Sequence, residues 1–276
     1  MRKIIWSIDA YKKVFYMIIE GRKIGFYLSN RLAKTFFMYL RKGVLVDFEI
    51  SPKMKKIGKF SFYQVSHFNQ IISLNPFIIH YDLTHMRNDM RQVLESNKYF
   101  LFIDFEMTMP GYHDQQFFPE IIQVGYVLSE AQGNIIQQDG YYVLPKEKLT
   151  LSKRTKKFLN LDEDKFFAEA VQFDIYYKKL AKIIKKYNPK LVVWGKNDLT
   201  AMNDSYILHE KEKLTVDTDF IDLLKLHKDY FNLKDDLGLF KAYKTYYDVD
   251  FDQAHDAKDD ALVTKYVFDA FVNYMK

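Results

Sequence analysis

The chain has 276 residues, of which 48% are hydrophobic and 28% are charged, and it contains no cysteine. This composition is typical of a globular protein with a substantial core, and it excludes disulfides, thiol catalysis and zinc sites built from cysteine. We see no signal peptide at the N-terminus and no apolar run of about 18 residues, so we expect a soluble, cytoplasmic protein without a membrane span.

Charge is distributed unevenly along the chain. Residues 1–95 carry 16 Lys/Arg against 7 Asp/Glu, whereas residues 96–276 carry 25 against 29. A basic front part would attract a polyanion, and an acidic back part would concentrate carboxylates that can hold metal ions. We therefore predict a basic, β-rich accessory domain over residues 1–95 and a second domain over residues 96–276.

The first 80 or so residues are rich in short β-like runs separated by Gly, Pro and Lys. These runs are KIIWSI, KVFYMII, KIGFYL, GVLVDFEI, KFSFYQV and PFIIHY, with a helix predicted at residues 31–40. Such a series predicts a small barrel or curled sheet, for which the OB fold is the candidate. A polar, helix-permissive connector follows at residues 84–97.

The pattern changes to an α/β arrangement after the connector. Strands predicted at 98–106, 120–128 and 135–143 should form an antiparallel meander, because Gly133 marks the turn between the last two. Another strand is predicted at 191–194. Helices are predicted at 153–160, 174–187, 198–211, 222–230, 236–246 and 257–274. We expect an α/β fold with a mixed sheet flanked by helices.

The tripeptide Asp-Phe-Glu occurs twice, at Asp47/Glu49 and at Asp104/Glu106. In a strand, both acids of each copy lie on one face. The first copy lies on a polar face, so we interpret it as solvent-exposed. The second copy follows Phe100 and Phe102 on the same face of a strand that is apolar on both sides. Buried carboxylates need a partner, and a cation is the simplest one.

The last predicted helix begins with QAHDAKDDALVT, in which His255 lies five residues before Asp260. His-x-Ala-x-x-Asp-Ala resembles the third motif of the DEDDh family, the DnaQ-like 3′-to-5′ exonucleases of RNase H-like fold. Asp104 and Glu106 match its first motif, and Asp198 in WGKND is similar to its second. The resemblance covers about residues 98–275. The stretches DFEMT, EIIQVG, YVLP and WGKND together are most similar to its KapD-like, RNA-trimming branch.

The resemblance implies hydrolysis of a phosphodiester bond with two Mg²⁺ or Mn²⁺ ions. Four carboxylates suit such ions, which prefer oxygen ligands. The implied metal ligands are Asp104, Glu106, Asp198 and Asp260, with Glu106 also counted as catalytic. His255 is the implied general base, because a neutral imidazole can take a proton from the attacking water near pH 7.

Contacts with the substrate are less clearly indicated by the sequence. Met107 and Thr108 match positions where the family receives the terminal nucleotide, so we predict that they bind substrate. The Thr-Gly-Ile that many members carry after the third strand is replaced here by LSKRTKKFLNL, residues 151–161. The motif therefore does not predict which residues bind the end of the nucleic acid strand.

The expected partner is the 3′ end of single-stranded RNA or DNA, with RNA favoured by the resemblance alone. The alternatives are a catalytically idle nucleic-acid-binding or scaffold protein, and a phosphodiesterase acting on small nucleotides. We also predict that the basic N-terminal part holds the strand by charge and by ring stacking. The candidate rings are Phe15, Tyr16, Phe26, Tyr27, Phe60, Phe62 and Tyr63. No sequence pattern indicates an oligomeric state.

Overall fold

The computed structural model describes residues 1–73, 79–110, 117–146, 151–231, 233, 235–249 and 255–275, without the side chains of residues 79–81. The chain forms two compact units, Met1–Met90 and Arg91–Lys276. The division falls inside the helix Leu83–Glu95, whereas the sequence places the boundary near residue 96, just after that helix. A change of composition marks the helix but not the point within it where the contacts change.

The first unit is built mainly from β-strands. Its strands are β1 (Arg2–Ile4), β2 (Ser7–Asp9), β3 (Val14–Ile19), β4 (Arg22–Tyr27), β5 (Leu45–Ile57), β6 (Phe60–Ile72) and β7 (Ile79–Asp82). Helix α1 (Asn30–Phe36) continues into a 3-10 turn, Phe37–Tyr39, and α2 (Leu83–Glu95) follows β7. The predicted strand at 76–81 lies partly outside the described residues. The expected β-rich character of this part is confirmed.

The sheet of the first unit closes on itself through the segment that contains β1 and β2. Ile5 N donates to Val44 O at 2.8 Å, and Trp6 N donates to Tyr16 O at 2.8 Å. As a result β1 pairs with β5 while β2 pairs with β3, which joins both ends of the order β1-β5-β6-β4-β3-β2. If β1 and β2 are counted as the two halves of one strand, five strands close the barrel, and β7 pairs with β6 outside this order. With β4 and β6 parallel, the strand order is that of an OB barrel.

Aromatic rings fill the interior of this barrel. Phe15 lies 5.5 Å from Phe26 and 5.3 Å from Phe48, measured between ring centroids. Phe15, Phe26 and Phe48 are almost completely buried, together with Phe68. Phe62 is also only 6% exposed, so the prediction that it could stack on a nucleic acid strand is wrong, as it is for Phe15 and Phe26, which belong to the core. These rings were counted because alternating aromatics look the same in sequence whichever face they occupy.

The second unit is an α/β structure. Its strands are β8 (Tyr99–Met107), β9 (Ile121–Glu130), β10 (Ile135–Tyr142), β11 (Lys190–Val193) and β12 (Phe220–Asp222). Its helices are α3 (Lys153–Phe158), α4 (Glu163–Glu169), α5 (Phe173–Tyr187), α6 (Asn197–Leu208), α7 (Leu223–Tyr230), α8 (Leu239–Tyr247) and α9 (Ala257–Met275). The sheet order is β10-β9-β8-β11-β12.

The central strand β8 is covered by helices on both faces. It pairs antiparallel with β9 and parallel with β11, so the sheet is mixed, as expected. On one face, Leu101, Ile103 and Phe105 pack with residues of α5 and α6. On the other face, Phe100 and Phe102 contact Phe268 of α9 at 4.8 and 5.2 Å between centroids. The expectation that β8 is apolar on both sides is confirmed.

None of the described helices is long and apolar enough to cross a membrane.

Candidate active site

The first two acids of the site extend from the end of β8 toward the face that α9 covers. Asp104 and Glu106 follow Phe100 and Phe102 on that face, since side chains alternate along a strand. Asp104 lies opposite Gly125 of β9, and Glu106 lies opposite Gln123. The strand therefore presents two carboxylates where its hydrophobic contact with α9 ends.

Gly125 allows the beginning of α9 to lie directly on the sheet. A Cβ atom at residue 125 would lie 2.1 Å from the carbonyl carbon and oxygen of Ala257 and 2.2 Å from the backbone nitrogen of Lys258. Any side chain at this position would have to push the helix away. The missing Cβ thus places the first turn of α9 against β9, next to Asp104.

A cap holds that first turn in place. Asp256 Oδ1 accepts hydrogen bonds from the backbone nitrogens of Lys258 at 3.0 Å and Asp259 at 3.2 Å. Gln123 Nε2 donates to Asp256 Oδ2 at 2.7 Å, which ties the cap to β9. Because α9 is fixed at its N-terminus in this way, Asp260 is carried to the acids of β8.

Asp260 contributes a buried oxygen that lacks a partner. Its side chain is 7% exposed, and Oδ1 makes no hydrogen bond to any described residue. A buried acceptor left without a donor is costly unless something else binds it. A cation would satisfy this oxygen.

Asp198 reaches the cluster from the neighbouring strand. After β11 the chain turns at Gly195, which has a φ of +95°, and α6 begins at Asn197. Asp198 lies in the first turn of α6, is 6% exposed, and accepts a hydrogen bond from Phe105 N through Oδ1 at 3.0 Å. It is thereby joined to the backbone of β8 between Asp104 and Glu106.

His255 stands just before α9 in an uncommon backbone conformation, with a φ of +50°. Ligand atoms of His255, Glu106 and Asp260 all lie within 4.8 Å of one another. The imidazole also packs on Phe158 at the end of α3, with 4.2 Å between ring centroids. Non-glycine residues at positive φ are costly and are often found at functional sites.

Burial and mutual repulsion raise the pKa values of all four carboxyl groups. Burial raises the pKa of Asp104 well above its ordinary value, and the charges of Asp198, Asp260 and Glu106 add to the increase. Burial likewise raises the pKa of Glu106 to about 8, that of Asp198 to about 7 and that of Asp260 to about 6. A positive ion in the cluster would offset both causes.

The donor set fits divalent metal ions. Asp104, Glu106, Asp198 and Asp260 provide carboxylate oxygens, which Mg²⁺ and Mn²⁺ prefer. A cavity of about 340 Å³, lined by Asp104, Asp260, Trp194 and residues 238–241, gives access to two of these acids, Asp104 and Asp260. The site thus combines converging negative charge with room for a substrate group.

The predicted substrate-binding residues adjoin the acids. Thr108 is 4% exposed, and its hydroxyl accepts a hydrogen bond from Glu120 N at 2.9 Å. Met107 packs against the core on the α5 side of the sheet. Their side chains are therefore engaged within the fold, and their contacts with substrate stay a prediction.

The other Asp-Phe-Glu copy belongs to the barrel. Asp47 lies 3.5 Å from the N-terminal amino group, and Glu49 is exposed. Among the described residues, potential metal ligands come together in a group of three at Glu106, His255 and Asp260, and neither acid of the first copy belongs to it. The structure thus assembles the second copy of the motif with three other predicted site residues, and it does not do so for the first.

Sequence reasoning missed Phe158 and Gln123. Phe158 lies in the segment LSKRTKKFLNL, which stands where many family members carry a different motif, and it contacts His255 across almost a hundred residues. Gln123 orients the cap of α9 from β9. No local signal in the sequence indicates either contact, because both depend on how distant elements pack.

Comparisons with known proteins agree with this geometry. The exonuclease family model RNase_T matches residues 101–268. The probable 3'-5' exonuclease KapD of Bacillus subtilis (strain 168) is 32% identical over 170 residues, which are 61% of this chain and 82% of that protein.

Solved structures show the same fold. The nuclease domain of 3'hExo, a DEDDh family member, bound to rAMP has a TM-score of 0.56 at 20% identity, over 64% of this chain and 93% of the other. The cell-death related nuclease 4 (CRN-4) has a TM-score of 0.54 at 21% identity, over 64% of each chain.

The mixed sheet and its carboxylate cluster define a nuclease of RNase H-like fold. The chain belongs to the DEDDh family of 3′–5′ exonucleases. It is therefore a hydrolytic enzyme of that family, and the predicted fold class and resemblance are confirmed. Membership of this family implies dependence on a divalent metal ion.

Proposed function

We propose that this enzyme uses two Mg²⁺ or Mn²⁺ ions to remove nucleotides from the 3′ end of single-stranded nucleic acid, with RNA preferred over DNA. The observation that carries the proposal is the convergence of four carboxylates from β8, α6 and α9, of which Asp198 and Asp260 are buried and the other two are half-buried. A globular fold avoids such a cluster unless cations neutralise it, because the burial of each charge is costly.

Asp104, Glu106, Asp198 and Asp260 are the residues that would hold the ions. Two divalent ions at such a site supply a strong nucleophile near neutral pH and stabilise charge on the attacking and leaving oxygens. The partnerless Oδ1 of Asp260 and the hydrogen bond that fixes Asp198 to the backbone of β8 support this assignment.

His255 takes a proton from the attacking water. One of its ring nitrogens lies within 4.8 Å of carboxylate oxygens of Glu106 and Asp260, so the water would be held between metal ligands and base. The ring is oriented by Phe158 on one side. A base held in position in this way needs no large rearrangement before it accepts the proton.

The preference for RNA is supported by relatives only. One structural neighbour, with a TM-score of 0.56, is a 3'-exonuclease in a structure of 3'-end specific recognition of histone mRNA stem-loop. Another neighbour, with a TM-score of 0.51, is E. coli Exonuclease I in complex with a dT13 oligonucleotide. Proteins of this fold thus bind RNA or DNA, and recognition of the 2′-OH is what distinguishes the two. A cytoplasmic location also stays a prediction.

The test is release of nucleotides from matched single-stranded RNA and DNA oligomers, each labelled at the 5′ end. With Mg²⁺ or Mn²⁺ we expect a ladder that shortens from the 3′ end, faster on RNA, and no cleavage in EDTA. Equal rates on both strands would remove the RNA preference. Hydrolysis of a small nucleotide ester without cleavage of either oligomer would instead indicate a small-nucleotide phosphodiesterase.

A further inference from the structure

We propose that the outer face of the OB barrel in the first unit binds single-stranded nucleic acid through its aromatic rings and lysines. This inference extends the proposed function, because it assigns the barrel a role in holding the enzyme's substrate. The surface, which we name the aromatic face, lies on the adjacent strands β3, β4, β6 and β5. It consists of Tyr16, Lys23, Gly25, Tyr27, Lys55 and Phe62.

The centre of the aromatic face is a row of residues that crosses the sheet. Tyr16 of β3 pairs with Gly25 of β4, and Phe62 of β6 pairs with Lys55 of β5. Phe62 lies beside Gly25, because the next residues along these strands, Phe26 and Tyr63, are partners in the parallel pairing. One row therefore runs from β3 to β5, across the barrel wall.

Gly25 makes this row flat. A Cβ atom at this position would lie 2.5 Å from Phe62 Cδ1 and 3.0 Å from Tyr16 Cε1, so both rings extend over the glycine. The ring centroids are 6.3 Å apart in an edge-to-face arrangement. Phe62 is only 6% exposed and supports the edge of Tyr16, so the rings of the face on which planar groups can stack are the half-buried Tyr16 and Tyr27.

Lysine side chains lie over the two tyrosine rings of the aromatic face. Lys23 Nζ is 4.4 Å from the centroid of Tyr16, and Lys55 Nζ is 5.6 Å from that of Tyr27. Both tyrosines are half-buried and both lysines are exposed. A base can stack on such a ring while the lysine beside it contacts the adjoining phosphate.

The surroundings of the face favour a polyanion. Residues 50–81 contain no Asp or Glu. The hairpin formed by β5 and β6 presents four exposed lysines and the 68%-exposed ring of Phe60. These lysines are Lys53, Lys55, Lys56 and Lys59. Charge and exposed rings therefore coincide, which is the combination that single-strand binding surfaces use.

A core role does not explain these rings. The interior of the barrel is filled by Phe15, Phe26, Phe48 and their neighbours, whereas Tyr16 and Tyr27 alternate with them and face outward. The outward-facing rings, over which lysine side chains lie, add little to the core. A single-stranded nucleic acid matches this surface, because its bases can stack on the rings and its phosphates can contact the lysines.

The test measures binding of a fluorescent 20-nucleotide single strand to the full-length protein in EDTA, so that binding is read without cleavage. The variant Lys23→Gln/Lys55→Gln should weaken binding and reduce the slope of log affinity against log salt by about 1.4, since each phosphate contact contributes about 0.7 for single strands. The matched control is Lys3→Gln/Lys34→Gln, which removes the same charge from exposed positions in β1 and α1. The control should keep nearly the whole slope.

The rings are tested by Tyr27→Leu in the aromatic face and by Phe60→Leu in the adjoining hairpin of β5 and β6. Loss of one stacked base should weaken binding about 5-fold or more. Phe60→Tyr, which keeps an aromatic ring, should bind as tightly as the wild type. Melting temperatures of all variants confirm that each is folded.

Equal affinity and slope for the two lysine pairs would overturn the proposal, and so would equal affinity of the wild-type protein for a duplex, in which bases cannot stack. Because the assay needs no hydrolysis, failure here is distinct from failure of the proposed nuclease activity. If the enzyme cleaves normally but binds with no contribution from this face, only the inference about the barrel is lost.

Discussion

The four active-site carboxylates repel one another at close range, and burial strengthens that repulsion. The raised pKa values, about 8 for Glu106, about 7 for Asp198 and about 6 for Asp260, express the free energy that the folded chain spends on holding them together. The same arrangement becomes favourable once divalent cations bind. Each of these residues is therefore placed to bind metal ions, and its charge destabilises the metal-free fold.

The metal-free protein should lose stability as the pH rises from about 4.5 to about 8. A carboxyl group whose pKa is raised in the folded state stabilises the fold below its unfolded pKa and loses that contribution as the pH rises through its folded value. For Glu106 this window runs from 4.5 to about 8. Melting temperatures measured in EDTA across this range test the sign.

Two comparisons make this measurement specific to the site. Mg²⁺ should raise the melting temperature more at pH 8 than at pH 5, and Asp104→Asn should reduce the loss of stability in EDTA, because an amide carries no charge. A metal-free protein whose stability is constant or increases between pH 5 and pH 8 would show that the carboxylates do not repel one another as described.

His255 should matter for turnover and little for metal binding. His255→Ala is expected to lower kcat by about 10² to 10⁴ fold, because the attacking water loses its base. Binding of Mn²⁺, measured by calorimetry, should stay close to that of the wild type, since four carboxylates remain. Full turnover from pH 6 to pH 9 would assign the imidazole a structural role, and another group would then activate the water.

At the scale of elements, the site depends on how closely α9 lies on β9. Gly125 and the cap formed by Asp256 and Gln123 fix the start of the helix, from which Asp260 and His255 both extend. The sequence predicts β8, α9 and the residues they carry, because the pattern of apolar residues and the His-x-Ala-x-x-Asp-Ala spacing are local.

Other features of the elements could not be predicted. The helix α4 and the three-residue strand β12 are too short to give a clear periodic pattern. The contact of Gly125 with Ala257 and that of Phe158 with His255 join parts of the chain far apart in sequence. A single sequence shows which residue types are present at such positions but not which of them will meet.

Gly125→Ala should separate α9 from the sheet. The new Cβ would meet the backbone of Ala257 at 2.1 Å, and backbone cannot move aside like the end of a side chain. We expect a loss of stability of about 1 to 3 kcal/mol and a fall in kcat of about 10² fold, since a displacement of about 1 Å is enough for that loss.

The control for this substitution is Gly238→Ala, where an added Cβ would meet nothing within 4 Å. Because Gly238 is the N-cap residue of α8, the substitution should cost only the preference of that position for glycine over alanine, and clearly less than Gly125→Ala in denaturant titrations. If Gly125→Ala proves as stable and as active as the wild type, close contact between α9 and β9 is not what places Asp260.

At the scale of the whole molecule, the basic and acidic parts of the chain correspond to two different units. The first unit is an OB barrel with lysines around exposed rings, and the second carries the nuclease site. The charge asymmetry of the sequence matches this division into two units, and the β-rich pattern predicts the barrel. Which rings face outward could not be read from the sequence, because core and surface aromatics alternate along the same strands.

The central claim is that the second Asp-Phe-Glu copy, together with Asp198 and Asp260, forms the catalytic centre. The most direct test compares Asp104→Asn with Asp47→Asn, the same change at the equivalent position of the first copy, in cleavage of a 5′-labelled single-stranded RNA with Mg²⁺. We predict that Asp104→Asn abolishes shortening from the 3′ end and that Asp47→Asn retains the wild-type rate. Cleavage that survives Asp104→Asn and is lost in Asp47→Asn would contradict the account.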